Sequence, residues 1–331
     1  MEEQQRVKTE HGTHPAAGPR VVTLGETMAL LTAERVGPLA HAPSMAVGIG
    51  GAESNVAIAL RRLGVPVTWI GRVGADGFGE LVERELRAEG LDVRAVVDGA
   101  APTGLMVKER RTSRSLNVWY YRTGSAGSRL APADVPEDVV AGASLLHVTG
   151  ITPALSASAA EAVAHAVRLA RAHGVTVSFD VNYRGRLWRR ERAGEALRDV
   201  LAASDVVFAG VEEAELFVSP REDPLDLAAA LTDLGPAQAV IKRGAEGCAA
   251  LVDGLRLTRE AVPVEVLDPV GAGDAFVGGY LAELLAGAPP ETRLDTAVAA
   301  GAFACVVPGD WEGMPTRAEL GLLTRREDVA R

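Results

Sequence analysis

Asp268-Pro269-Val270-Gly271-Ala272-Gly273-Asp274-Ala275-Phe276-Val277-Gly278-Gly279 is the stretch on which the reading of this chain turns. The β-branched run Val262 to Val266 precedes it, and Phe276, Val277, Tyr280, Leu281, Leu284 and Leu285 follow at helical spacing. The pattern predicts strand, tight glycine turn and helix, with Asp274 at the helix start. Gly271 and Gly273 remove side chains that would hold an anion away. The first turn of a helix offers N–H groups without intrahelical partners, together with a partial positive charge. A carboxylate beside such a cradle suits a group that must lose a proton as it receives a negatively charged one, as in phosphoryl transfer to a hydroxyl. Taken alone, Asp274 reads equally well as an ordinary helix-start residue. A dinucleotide-binding turn is disfavoured, because Phe276 stands where its third glycine belongs and the turn lies late in the chain.

The chain has 331 residues, enough to bury a full core in one large domain. Its 47% hydrophobic content and 36 glycines fit an α/β protein with many tight turns. A net charge of −10 argues against nucleic acid as a partner, since phosphate backbones demand a basic surface. An anionic substrate then requires a few arginines to converge locally. Cys248 and Cys305 form neither a disulfide framework nor a metal cluster, which suits a reducing, cytoplasmic setting. No stretch is long and apolar enough to span a membrane, and the start of the chain lacks the apolar core of a signal peptide. With Gly12, Pro15 and Gly18 among scattered charges, residues 1–19 read as a disordered tail.

Arg20 to Glu26 reads as a buried strand, Met28 to Thr32 continues extended, and Ser44 to Ile49 alternates as a strand with one exposed face. Gly50-Gly51-Ala52-Glu53-Ser54-Asn55 then opens a helix carried by Val56, Ala57, Leu60 and Leu63. After the strand Val67 to Ile70, Asp76 and Gly77 are turn residues first. Thr103 to Arg110 and Ser115 to Arg122 form two strands joined by a polar turn at Arg111 to Arg114. Alternation puts Tyr120 and Arg122 on one face and Trp119 and Tyr121 on the other. A tyrosine hydroxyl beside a guanidinium can clamp a carboxylate, although alternation alone reads Arg122 as a surface arginine. The strand Val175 to Phe179 ends in Asp180-Val181-Asn182-Tyr183-Arg184, at the carboxyl end where open α/β sheets bind ligands. Further strands at Asp205 to Ala209 and Ala239 to Ile241 lead into Gly210 to Glu215 and Lys242 to Gly247, and Asp253-Gly254 reads as a hairpin turn.

The spacing of Asp268 to Gly279 resembles the second signature of the PfkB, or ribokinase-like, carbohydrate kinases, and Gly50-Gly51 with Asn55 resembles the first. The resemblance covers nearly all of residues 20–325. It implies a three-layer α/β/α fold with a mostly parallel central sheet, and a small β-sheet lid built from about 28–49 and 103–122. It further implies that Asp274 is the catalytic base and that Gly271, Ala272 and Gly273 stabilise the transferring phosphoryl. Gly50, Gly51, Asn55, Tyr120, Arg122 and Arg184 would bind the sugar. Asn182, Lys242, Gly244 and Gly247, with Gly271 and Gly273, would bind ATP. Glu213 matches the family's magnesium-positioning glutamate, acting through waters, although Gly210 stands where asparagine is usual. A monovalent cation such as K+ near the Asp268 loop is left open, and the lid implies pairing between subunits through Trp119 and Tyr121.

Four strings are most similar to 2-keto-3-deoxygluconate kinases: Gly25-Glu26, Tyr120 to Ala126, Asp180 to Arg184, and Gly309-Asp310-Trp311-Glu312-Gly313. Met106 departs from them, standing where some carry tyrosine. The implied reaction is transfer of the ATP γ-phosphate to the terminal hydroxyl of a sugar acid held by Arg122 and Arg184. A neutral-sugar kinase of the same fold, such as a fructokinase, and a non-catalytic sugar-binding regulator are the competing readings.

Overall fold

Neighbouring residues of the first strand, β1 (Val21–Leu24), pack into different cores, Val21 into one and Val22 into the other. The computed structural model describes residues 20–112 and 115–324; the tail expected over 1–19 and the middle of the turn expected at Arg111 to Arg114 lie outside them. The remaining strands are β2 (Met28–Ala33), β3 (Met45–Gly50), β4 (Val67–Gly74), β5 (Asp92–Asp98), β6 (Leu105–Thr112), β7 (Ser115–Tyr121), β8 (Leu145–Thr149), β9 (Thr176–Asp180), β10 (Val206–Gly210), β11 (Gln238–Lys242), β12 (Cys248–Val252) and β13 (Leu255–Arg259). A nine-stranded sheet takes the order β13-β12-β11-β10-β9-β8-β1-β4-β5. It is parallel from β5 to β11, and the β12–β13 hairpin adds antiparallel strands at one edge.

Alternation along these strands feeds two apolar layers, as a sheet buried on both faces requires. On β10, Val206 and Phe208 face one side and Val207 and Ala209 the other. One face is covered by α1 (Ala52–Arg62), α2 (Gly77–Ala88), α8 (Ala272–Leu285) and α9 (Pro290–Cys305). The other carries α3 (Glu137–Ala141), α4 (Ala157–Ala172), α5 (Arg190–Ala202), α6 (Val211–Ala214) and α7 (Pro224–Thr232). The result is the three-layer α/β/α architecture expected. Helix α8 is wedged between α1 and α9, and its two mid-helix glycines permit this: a Cβ on Gly278 would lie 2.5 Å from that of Ala59, and one on Gly279 2.9 Å from the Thr296 carbonyl.

A second sheet of four strands, β3-β2-β6-β7, stands apart from the large one. Its register places Val47, Leu31, Val107 and Trp119 in one row across the sheet. Met28, Leu30 and Met106 form a small buried cluster with Val118 on the opposite face.

One element differs from expectation. Val262 to Val266 is not a strand; the chain leaves β13 and runs irregularly to Asp268. Pro263 brings no N–H to a ladder, and Val266 is 56% exposed. The hairpin turn does form at Asp253-Gly254, both with positive φ (51° and 81°), the backbone that a two-residue hairpin favours.

Candidate active site

Helices α1 and α8 begin at the rim of a cavity of about 1040 Å³ that lies between the ends of the large sheet's strands and the small sheet. Gly271 caps α8 with φ 79°, a left-handed backbone open to glycine at little cost. A Cβ there would fall 1.8 Å from the Asp310 carbonyl oxygen, so the turn lies flush against the 309–312 loop. The N–H of Ala272 turns back weakly to the Pro269 carbonyl at 3.4 Å. The N–H groups of Gly273 and Asp274 belong to the first turn, which the helix itself cannot serve. A Cβ on Gly273 would meet only the Lys242 ammonium, at 3.7 Å. The cradle therefore has a fixed cation at its side.

Asp274 is buried, and Asn55 on α1 donates Nδ2–H to its Oδ2 at 2.8 Å. Burial pushes its carboxyl up to about 7, and the nearby Asp180 adds to the rise, while the Asn55 hydrogen bond, Arg184 and Lys242 oppose it. A carboxylate with that value is poised to take a proton near neutral pH. Asn55 also draws the Gly51 N–H towards its Oδ1, at 3.5 Å, so one amide joins the two glycine turns. Gly50 sits where a Cβ would collide with Asp310 Oδ2 and the Met106 methyl, at 2.4 and 2.7 Å.

Strand β9 delivers Asp180, which grips the Lys242 ammonium at the end of β11 with both oxygens, at 2.7 and 2.8 Å. Burial opposes the lysine's charge, but Asp180 and Glu213 outweigh it and hold its pKa above the ordinary value. Asn182 lines the cavity with φ 39°, a left-handed conformation that asparagine tolerates better than most side chains. Glu213 accepts the N–H of Tyr183 at 2.9 Å and of Gly210 at 2.6 Å, so backbone groups fix its carboxylate at the cavity wall. Among the described residues no cluster of three His, Cys, Asp or Glu side chains could enclose a metal. A single oriented carboxylate fits magnesium that keeps its waters and rides on phosphates.

Tyr120, Arg122 and Arg184 line the same cavity. Arg122 stacks over the Tyr120 ring at 5.9 Å and donates Nε–H to Glu26 Oε2 at 2.7 Å; Ser125 donates to the other oxygen of Glu26. The cavity thus gathers Gly51, Asn55, Tyr120, Arg122, Asn182, Arg184, Glu213, Lys242, Gly271, Gly273 and Asp274. Gly244 and Gly247 are not among its lining residues. They shape the turn after β11, where a Cβ on Gly247 would strike the Arg259 carbonyl oxygen at 1.9 Å. Asp76 caps α2 through the Gly79 N–H and also binds Thr103, which is turn chemistry.

Sequence reasoning gave no roles to Glu26, Glu53, Lys108 and Asp310, all buried. Glu53 accepts from Thr149 and Thr152 at 2.8 and 2.6 Å, and burial raises its pKa against those hydrogen bonds. Lys108 on β6 reaches Asp268 and Asp310, so an ammonium lies against the Asp268 loop. The strings holding Glu26 and Asp310 were visible, but nothing in them announced burial.

An anion cradle at a helix start, a buried carboxylate of raised pKa and two arginines in one cleft define a phosphotransferase-like site. The chain belongs to the pfkB family of carbohydrate kinases, whose sequence profile matches residues 19–317. It is 36% identical to the 2-dehydro-3-deoxygluconokinase of Bacillus subtilis, over 90% of this chain and 93% of that one. It is 38% identical to the 2-dehydro-3-deoxygluconokinase of Thermoproteus tenax, over 94% and 96%. A crystal structure from E. coli in complex with ATP and Mg2+ superposes with a TM-score of 0.85 at 28% identity, covering 93% of this chain and 100% of that chain.

Proposed function

We propose that this chain is an ATP-dependent kinase of 2-dehydro-3-deoxygluconate, also called 2-keto-3-deoxygluconate, that phosphorylates the terminal hydroxyl. The observation that carries the substrate is that Arg122 and Arg184 line the same cavity as Asp274. A planar guanidinium fork matches a carboxylate, and the two arginines give an otherwise acidic protein a local place for an acid. The hydroxyl to be phosphorylated then lies towards Asp274, with Gly51 and Asn55 beside the sugar chain.

Asp274 accepts the hydroxyl proton, a role worth about 10²–10⁴ in rate. The first-turn N–H groups at Gly273 and Asp274 meet charge on the transferring phosphoryl, where one lost donor costs about 3 kcal/mol. Lys242 and Asn182 face the nucleotide, and Asp180 keeps the lysine charged and aimed. Glu213 would hold magnesium through its waters; bound there, the ion supplies positive charge to the phosphates. The small sheet acts as a lid that excludes water. Its outer face, with Val47 59%, Trp119 48% and Tyr121 63% exposed, is the one through which two subunits would pair. No helix among the described residues is long and apolar enough to cross a membrane.

The test is phosphorylation by purified protein, with ATP and magnesium, of 2-keto-3-deoxygluconate against fructose and ribose. Turnover of the acid alone is expected. Preference for a neutral sugar would overturn the arginine clamp, and turnover of none would overturn the kinase reading.

A further inference from the structure

Three segments that are remote in sequence meet at the Lys108 ammonium. Lys108 projects from β6 of the small sheet and is 1% exposed. Its Nζ lies 3.3 Å from Asp268 Oδ2 and pairs closely with Asp310 Oδ1; both aspartates are 3% exposed. Asp268 opens the loop that becomes the anion cradle. Its Oδ1 accepts the Val270 N–H at 3.1 Å and its Oδ2 the Gly309 N–H at 3.3 Å. Asp310 follows Gly309 on the loop whose backbone Gly271 touches. Arg110, one turn of the pleat further along β6, donates to the Leu267 carbonyl at 2.8 Å. The 309–312 loop is fixed from behind by Arg62, which donates to the Trp311, Glu312 and Met314 carbonyls at 3.2, 3.1 and 2.8 Å.

Without a cation between them, two buried carboxylates would repel each other, with little besides backbone N–H dipoles to replace the water they have lost. The loops carrying them would separate, and with them the Gly271 turn that points the first N–H groups of α8 into the cavity. A monovalent cation could supply that charge from solution. Here the chain supplies it.

We propose that Lys108 is a positioning residue, a built-in cation that locks the Asp268 and Asp310 loops and thereby the anion cradle. Phosphotransfer by this protein is consequently independent of K+. This rests on the phosphotransferase reading for its catalytic consequence, and on the geometry alone for its structural one.

The experiment compares the full-length protein with Lys108→Ala and Lys108→Met in KCl, NH4Cl and tetramethylammonium chloride at equal ionic strength. Both kcat for the best substrate and the thermal unfolding midpoint are read. The wild type is expected to show the same kcat and the same midpoint in all three salts. Lys108→Ala, which opens a space lined by carboxylates, is expected to lose about tenfold or more in kcat, the scale of a displaced catalytic group. K+ and NH4+, similar in size and both able to bind oxygen, should restore much of that loss and raise its midpoint; tetramethylammonium is too large to do either. Lys108→Met fills the space without charge and should be slow in every salt. Activation of the wild type by K+, or unchanged kcat in Lys108→Ala, overturns the proposal. So does a Lys108→Ala protein whose rate and midpoint ignore K+ and NH4+. If that variant does not fold, the wild-type salt comparison and Lys108→Met still decide. If the wild type phosphorylates no sugar, the kinase reading fails, and the unfolding midpoints still report on Lys108.

Discussion

Glu26 holds the guanidinium of Arg122, Nε to Oε2 at 2.7 Å, in the cavity wall where a substrate carboxylate is proposed to bind. The arginine is therefore oriented before any ligand arrives, and part of its charge is already answered. Ser125 and the surrounding backbone bury Glu26 to 2% exposure, so the pair is costly to break from one side. Arg122→Ala should weaken the sugar acid by more than the roughly 1.5–3 kcal/mol of a hydrogen bond to a charged group, because Glu26 is left unpaired beside the incoming anion. Adding Glu26→Gln should recover part of the loss, with a coupling of about 0.5–3 kcal/mol. Steady-state KM values for the four proteins of this cycle measure it. Simple additivity would mean that Glu26 plays no part in acid recognition.

Asp274 carries a pH signature. With its carboxyl pushed up to about 7, chiefly by burial, kcat/KM should fall as pH drops through that value, tracking loss of the base form. Removing the Asn55 donor by Asn55→Ala withdraws a bond that favours the ionised form, so the acid limb should move to higher pH. The stability sign is the opposite of an ordinary salt-bridged aspartate. Between the model-peptide value of 3.8 and about 7, the native state holds the proton that the unfolded state has released, so this group's contribution falls as pH rises across that window. Asp274→Asn should therefore lose about 10²–10⁴ in kcat, yet raise the unfolding midpoint more at pH 8 than at pH 5. A midpoint difference independent of pH would exclude the raised pKa.

Two glycines two residues apart, Gly271 and Gly273, should behave differently. Gly271→Ala forces a left-handed backbone on alanine, roughly 1–3 kcal/mol in strain, and drives its methyl into the Asp310 carbonyl 1.8 Å away. It should be poorly folded. Gly273→Ala meets nothing closer than the Lys242 ammonium at 3.7 Å, so the fold should stand. Its methyl nevertheless occupies the cradle, and kcat should drop by about 10²-fold, as for a displaced reacting group. Thermal unfolding and turnover of the two variants separate a structural glycine from one that keeps space for the phosphoryl.

The parts legible in the sequence were those with local signatures. Glycine pairs before apolar helices marked both helix starts at the cavity, and short apolar runs marked β8 to β11, because a doubly covered sheet needs them. Val262 to Val266 misled because β-branched residues signal a strand only where their N–H groups can pair, and Pro263 cannot. Lys108 escaped because a lysine between Val107 and Glu109 looks like any exposed strand position. Its burial depends on Asp268, 160 residues away, closing over it. Gly244 and Gly247 followed their neighbour Lys242 into the nucleotide assignment, whereas only the lysine reaches the cavity. Contacts between distant loops leave no periodicity to read.

The outer face of the small sheet yields a prediction about assembly. Cross-strand register aligns Val47, Leu31, Val107 and Trp119, and Tyr121 lies in the next row with Leu105 and Ala29. A half-exposed tryptophan and an exposed tyrosine on one strand match the aromatic anchors that dominate protein interfaces. Trp119 also touches the cavity edge, so pairing there would brace the lid as well as join subunits. Trp119→Asp places a charge on the edge strand of that surface. It should weaken association by about 2 kcal/mol or more, about thirtyfold in the dissociation constant. Sedimentation velocity across a micromolar concentration range would detect the shift towards monomer. A wild type that sediments as a monomer throughout, or a variant that assembles as the wild type does, would rule this face out.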